Sequence, residues 1–278
     1  MKIGIVGLGL IGGSLAKSIK SKTSHTVYAF DINEETMLLA RMCGAYDKRL
    51  DDENLGECDL VILAIRPGDA VDWAKENASK IAKGAILTDV CGIKRAIVPE
   101  FKRIAKENGF FYVGAHPMAG KERGRFQNST DDLFVGASLI LVPDPDIPSG
   151  ILGTLCEFSS DIGFARNVFS NPEEHDRIIA YTSQLPHILS SAYVKSPEAQ
   201  KNRGFSAGSF NDLSRVALLD ENMWTELFMA NSDFLADQLD ILSENLKKYS
   251  KAVKERDADT LKELLREGRE LKSSAGGH

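Results

Sequence analysis

The sequence predicts an α/β fold: a doubly wound, mostly parallel sheet followed by an all-helical carboxyl-terminal domain. Three observations predict it. The first part of the chain alternates short β-rich runs with helical segments. Ile3-Gly4-Ile5-Val6 and Leu60-Val61-Ile62-Leu63 are continuously apolar, as strands buried on both faces of a parallel sheet require. From Asn171 onward the pattern is helical, with no further strand signal.

The expected strands, in order, are Lys2–Gly7, Thr26–Asp31, Asp59–Ala64, Ala85–Val90, Phe110–Gly114 and Ser138–Val142, with helices between them. Pro143-Asp144-Pro145-Asp146-Ile147-Pro148 punctuates the chain as a loop, and a last βα-like unit ends near Ile162–Phe169. Asn171-Pro172-Glu173-Glu174 is a strong helix start, with Asn at the N-cap, Pro at N1 and acids in the first turn. The expected domains are residues 1–168 and 169–272. Leu235, Leu239, Leu242 and Leu246 share one helix face, either as core or as the surface of a homodimer formed through the helical domain. The closing Ser-Ser-Ala-Gly-Gly-His is expected to be disordered.

Composition narrows the function. Hydrophobic residues at 43% and charged residues at 27% are globular values, and the 278 residues suffice for a substantial core. A net charge of -6 argues against a nucleic-acid surface, so an anionic substrate needs a local cationic site. No apolar run is long enough to span a bilayer, and Met1-Lys2 leads straight into a strand rather than a targeting segment. The four cysteines and five histidines have no metal-ligand spacing; a cytoplasmic protein with reduced thiols and no metal is expected.

Gly7-Leu8-Gly9-Leu10-Ile11-Gly12 matches G-x-G-x-x-G between a strand and a helix. The first glycine permits the turn, the second lets backbone approach a pyrophosphate, and the third allows close helix–strand packing. Asp31 closes the second strand near the expected spacing of ~20 residues, where a carboxylate accepts from a ribose diol and repels a 2′-phosphate. Ile32 and Asn33 follow, with no arginine, so NAD rather than NADP is expected in a Rossmann domain. Arg66 and Asp89 lie on the same sheet edge as candidate cofactor contacts. Asp89 reads equally well as a helix cap.

His116 heads His116-Pro117-Met118-Ala119-Gly120-Lys121-Glu122, where a strand ends and a loop begins. Ligands of open α/β sheets bind at that edge, and a histidine beside a hydride acceptor is suited to taking a hydroxyl proton. Pro186 sits inside a helical pattern, in Tyr181-Thr182-Ser183-Gln184-Leu185-Pro186-His187. It deletes a hydrogen bond and implies a kink or an uncovered carbonyl beside His187. Ser206-Ala207-Gly208-Ser209-Phe210-Asn211-Asp212-Leu213-Ser214-Arg215 reads as a loop whose small residues admit a ligand and whose arginine suits a carboxylate.

These segments together resemble the prephenate/arogenate dehydrogenases of tyrosine biosynthesis. The resemblance rests on the glycine loop, Asp89-Val90-Cys91-Gly92-Ile93-Lys94, the His116–Glu122 element, Glu174-His175-Asp176, Ser183–His187, the Gly208…Asp212…Arg215 loop and Met223–Asn231. It implies NAD-dependent oxidative decarboxylation: hydride leaves C4, the ring carboxylate departs as CO2, and His116 accepts the C4 hydroxyl proton. By the same resemblance Arg215 holds a substrate carboxylate and His187 contacts substrate. Gly92 and Gly208 line the site, Glu122 gates it and Trp224 packs against it, while Lys94 is expected at the surface. Neither a β-rich regulatory domain nor a chorismate mutase segment is expected from the sequence, so any tyrosine feedback is expected to act at the active site.

One departure stands out. Many family members carry a serine where this chain has Gly92, and its hydroxyl orients the catalytic histidine. Water, Cys91 or a backbone group must substitute, or the histidine is held more loosely. A β-hydroxyacid dehydrogenase is the nearest rival, but the lysine it needs is missing from the start of the second domain. Arogenate as substrate remains open. So does a non-catalytic NAD-binding dimer, which Gly92 favours and the joint presence of His116, His187 and Arg215 opposes.

Overall fold

The structure is a computed structural model and describes residues 1–275. Its larger sheet comprises β1 (Lys2–Val6), β2 (Thr26–Phe30), β3 (Lys48–Arg49), β4 (Leu60–Leu63), β5 (Ile86–Asp89) and β6 (Phe111–Tyr112). Their spatial order is β3-β2-β1-β4-β5-β6 and every neighbouring pair is parallel. The order reverses between β1 and β4, which opens a crevice at the carboxyl ends of those strands. β3 escapes the sequence reading because its two residues are exposed at the edge and carry no apolar signal.

The core lies in two layers. Ile3, Ile5, Val27, Leu60 and Ile62 face α1 (Leu10–Lys22) and α2 (Glu34–Met42). Val6, Val61, Leu63 and Leu87 face α3 (Pro67–Asn77) and α4 (Val98–Asn108). Adjacent residues therefore bury on opposite faces, which explains the unbroken apolar runs. Each fully buried aliphatic side chain contributes roughly 1.5–3 kcal/mol over exposure.

The expected strand Phe110–Gly114 is two strands. The chain leaves the parallel sheet after β6 and starts β7 (Gly114–Pro117), which joins β8 (Ser138–Val142) and β9 (Arg166–Phe169) in a separate sheet. β7 pairs with β8 antiparallel, and β8 with β9 parallel across α5 (Ser149–Asp161). Ser138–Val142 thus belongs to this small sheet, not the main one. Gly114 makes the junction possible: a Cβ there would meet the Tyr112 hydroxyl at 3.1 Å and Lys94 at 3.2 Å. His116 consequently lies within β7, opposite Ile140, rather than in a loop after a strand.

From Pro172 to residue 275 helices are the only regular elements: α6 (Pro172–Ile179), α7 (Leu185–Tyr193), α8 (Gly208–Ser214), α9 (Glu221–Ala230), α10 (Ser232–Glu255) and α11 (Ala258–Ser274). The Asn171 side chain caps α6 by accepting from Glu174 N at 2.9 Å. A π-turn over Ala180–Gln184 links α6 to α7, with Leu185 N bonding Ala180 O. The wider turn accommodates Pro186, which has no N–H to give an α-helical ladder, in place of a sharp kink.

Two expectations need correction here. The small-residue segment around Gly208 is the short helix α8 rather than a loop, and Ser273 and Ser274 complete α11 rather than fraying. Residues 276–278 of the expected tail lie outside the described residues. Along the leucine stripe Leu235 is buried, Leu239 and Leu242 are half-buried and Leu246 is exposed. Its amino end is therefore core, and its carboxyl end is surface.

Candidate active site

The cofactor edge is built by one short segment. Gly7, at φ +90°, turns the chain out of β1. A Cβ on Gly12 would lie 1.9 Å from Gly7 O, so only glycine lets α1 approach the strand this closely. Above Gly9 a Cβ would meet nothing within 4 Å, leaving room for a ligand. Leu10 and Ile11 open α1, whose first turn has no acidic residue and no side-chain cap. Its free N–H groups and helix dipole suit a pyrophosphate. Asp31, just past β2, accepts from Leu8 N at 2.7 Å and from Asn33 N at 2.9 Å, which fixes its carboxylate beside the glycine loop. Arg66 is exposed at the N-cap of α3 on the same edge.

His116 is half-buried in β7 and bonded through a second histidine to a carboxylate. His116 Nδ1 lies 2.9 Å from His175 Nε2, and His175 Nδ1 lies 2.7 Å from Asp176 Oδ1. His175 and Asp176 are buried in the second turn of α6. Burial, the adjoining His175 and the Lys94 charge hold the His116 imidazole well below the ordinary histidine pKa, so it is neutral near pH 7. Gly92 adjoins the other ring nitrogen: a Cβ there would sit 3.9 Å from His116 Nε2 and 3.7 Å from Leu227.

Cys91 is not the substitute for the absent serine. Its buried thiol faces Ile65 O at 3.6 Å, and burial pushes its pKa well above the usual thiol range. Asp89 offers no exposed surface to a cofactor, because it is completely buried. Its carboxylate takes Lys94 Nζ, Tyr112 Oη at 2.6 Å and Cys91 N at 2.9 Å. Lys94, expected at the surface, is equally buried and also bonds Cys91 O at 3.0 Å. The Asp89–Lys94 pair therefore staples the turn that presents Gly92.

The other candidates meet in two pairs. His187 Nδ1 donates to Ser183 O at 2.7 Å across the π-turn, and its ring packs on Trp224 with centroids 4.0 Å apart. Trp224 and Leu227 are three residues apart on α9, so one helix face touches both His187 and the Gly92 neighbourhood. Arg215, immediately after α8, forms an ion pair with Glu122 from the segment after β7. Gly208 starts α8 with open space where a Cβ would stand.

The helical region is locked to the sheet by polar contacts the sequence reading did not assign. Asp176 accepts from Lys94 N and Arg95 N, each at 2.8 Å. Arg95 reaches Asp233 at 2.8 Å and Asn231 at 3.1 Å, while Asn231 donates to Asp176 O at 2.8 Å.

Comparison with known proteins settles the family. Residues 15–166 match the prephenate dehydrogenase nucleotide-binding domain, and residues 171–267 match the prephenate dehydrogenase dimerization domain. The chain belongs to the prephenate dehydrogenase family. It is 30% identical to a cyclohexadienyl dehydrogenase from Zymomonas mobilis, over 97% of this chain and 94% of that one. It is 29% identical to a prephenate dehydrogenase from Bacillus subtilis, over 92% of this chain and 71% of that one. The solved prephenate dehydrogenase of A. aeolicus, in complex with hydroxyphenyl propionate and NAD+, superposes with a TM-score of 0.86 at 26% identity, covering 99% of this chain and 98% of that one. Among the described residues, no helix is long and apolar enough to cross a membrane.

Within this family member, sequence reasoning singled out His116 but assigned no role to His175 or Asp176. The Glu174-His175-Asp176 motif was visible at a helix start. Nothing local to it says that a strand residue 59 positions away bonds the histidine.

Proposed function

We propose that the chain catalyses NAD-dependent oxidative decarboxylation of prephenate to 4-hydroxyphenylpyruvate. The observation that carries this reading is His116: a neutral imidazole in β7, backed by His175 and Asp176, with Gly92 and no competing side chain from it beside the other ring nitrogen. Such a group takes the C4 hydroxyl proton as carbonyl character develops. Gly7, Gly9 and Gly12 with the start of α1 would hold the cofactor's pyrophosphate, and Asp31 its ribose. When bound, NAD supplies the hydride acceptor.

Arg215 binds a substrate carboxylate in this reading, exchanging Glu122 for it, and His187 with Trp224 forms a further wall. Loss of CO2 from the ring carboxylate leaves an aromatic product, which drives the step. We further propose domains at 1–168 and 169–272 and a homodimer through the helical one, consistent with the exposed end of the leucine stripe. The four free cysteines support a cytoplasmic setting.

The deciding assay is NADH formation with NAD and either prephenate or arogenate, with NADP in parallel. Faster turnover of prephenate with NAD is expected. A preference for arogenate would change the substrate and keep the chemistry. No turnover of either substrate despite NAD binding would favour a non-catalytic NAD-binding dimer.

A further inference from the structure

Taking His116 as the proton acceptor, we propose that His175 and Asp176 are positioning residues that fix its tautomer. They hold the proton on Nδ1 and leave Nε2, beside Gly92, as the bare acceptor. They aim the ring from the side opposite Gly92, which has no hydroxyl to do so.

The assignment starts from Asp176. Its carboxylate is completely buried and accepts from two backbone N–H groups, Lys94 N on Oδ1 and Arg95 N on Oδ2. The Arg95 guanidinium lies 3.7 Å away. Both oxygens are thus engaged as acceptors, and a carboxylate has no hydrogen to give. His175 Nδ1, at 2.7 Å, must therefore carry a hydrogen. Burial lowers the His175 pKa and favours its neutral form, whose Nε2 is then a lone pair. His116 Nδ1 lies 2.9 Å from that lone pair and must donate to it. A neutral imidazole has a single N–H, so Nε2 of His116 is unprotonated.

The surrounding charges are compatible with this order. Lys94 lowers the pKa of both histidines, and its own charge is matched by Asp89, to which Tyr112 also donates. Asp176 and Asp89 pull His175 the other way, with less effect than burial. Cys91 points at Ile65 O and takes no part. No side chain at position 92 holds Nε2, so the ring is aimed from its far nitrogen. The same logic orients metal-bound histidines through the nitrogen that is not ligated.

The test is long-range 1H–15N spectroscopy of the histidine rings in the full-length protein, with His116 assigned by its loss in His116→Asn. Nδ1 protonated and Nε2 bare is the expected result. His175→Leu, which offers no acceptor, should scramble that tautomer and lower kcat by about 100-fold. KM and NAD affinity should stay within about twofold. His175→Gln keeps an amide nitrogen for Asp176 and an oxygen for His116, and should restore kcat to within about tenfold of wild type. A proton on Nε2 in the wild type overturns the proposal, as does a His175→Leu variant with unchanged tautomer and kcat. If His175→Leu does not fold, the wild-type spectrum and His175→Gln still decide. If neither substrate is turned over while the tautomer is as expected, the relay stands and the reaction assigned to the site falls.

Discussion

Two ion pairs flank the active site, and they differ in almost every physical respect. Asp89 and Lys94 are both 0% exposed, five residues apart, and enclosed by Tyr112 and Cys91. Arg215 and Glu122 join segments 93 residues apart, with side chains 62% and 35% exposed. A buried pair is costly to break, because the survivor keeps an uncompensated charge in a poor dielectric. An exposed pair is held weakly and exchanges partners readily. The contrast separates two jobs: the buried pair fixes the turn that carries Gly92 next to His116, and in the proposed function the exposed pair leaves Arg215 free to exchange Glu122 for a substrate carboxylate.

The largest expected effect follows from the buried pair. Lys94→Met strands the Asp89 carboxylate and should destabilise the fold by about 3–5 kcal/mol, measured by urea unfolding without ligand. Arg215→Ala should leave the unfolding midpoint nearly unchanged. It should weaken substrate binding by about 2–4 kcal/mol, read as a raised KM, if the arginine meets a desolvated carboxylate. Equal stability losses in the two variants would erase the distinction between the pairs.

With His116 as the proposed proton acceptor, the buried side would also set the working pH. Burial, His175 and Lys94 hold the His116 pKa well below that of an ordinary histidine. Protonation removes the acceptor, so kcat/KM should stay level as pH falls through 6.5 and decline only at more acidic values. An acid limb centred at or above 6.5 would contradict that environment. The smallest effect belongs to Glu122→Gln. Freed from its partner, Arg215 should bind substrate slightly more tightly, with no change in melting temperature. Calorimetry of the variant and wild type checks both.

The same contrast governs what the sequence could reveal. The glycine loop and Asp31 were legible because their meaning is local: Gly12 is required by a backbone oxygen five residues earlier, and Asp31 lies at a fixed distance down the chain. The helix start at Asn171 was legible for the same reason, and Pro186 announced an irregularity that proved to be a π-turn. Lys94 was misread because an isolated lysine is normally solvated, and nothing in its flanks says that Asp89 lies beneath it. β7 was missed because the apolar run ends near Gly114, so His116 and Pro117 read as the start of a loop. The break comes from Gly114 closing over Tyr112 and Lys94, which is a tertiary event. His175 and Asp176 gain their meaning from contacts with β7 and with the turn after β5, 59 and 82 residues away.

The most direct test of the account is NADH formation from prephenate by wild type and His116→Asn, with NAD affinity measured for both. The expected result is turnover by the wild type and a loss of about 10²–10⁴-fold in kcat for the variant, at unchanged NAD affinity. A His116→Asn variant that turns over at the wild-type rate would show that the proton leaves by another route, and that His116 is not its acceptor.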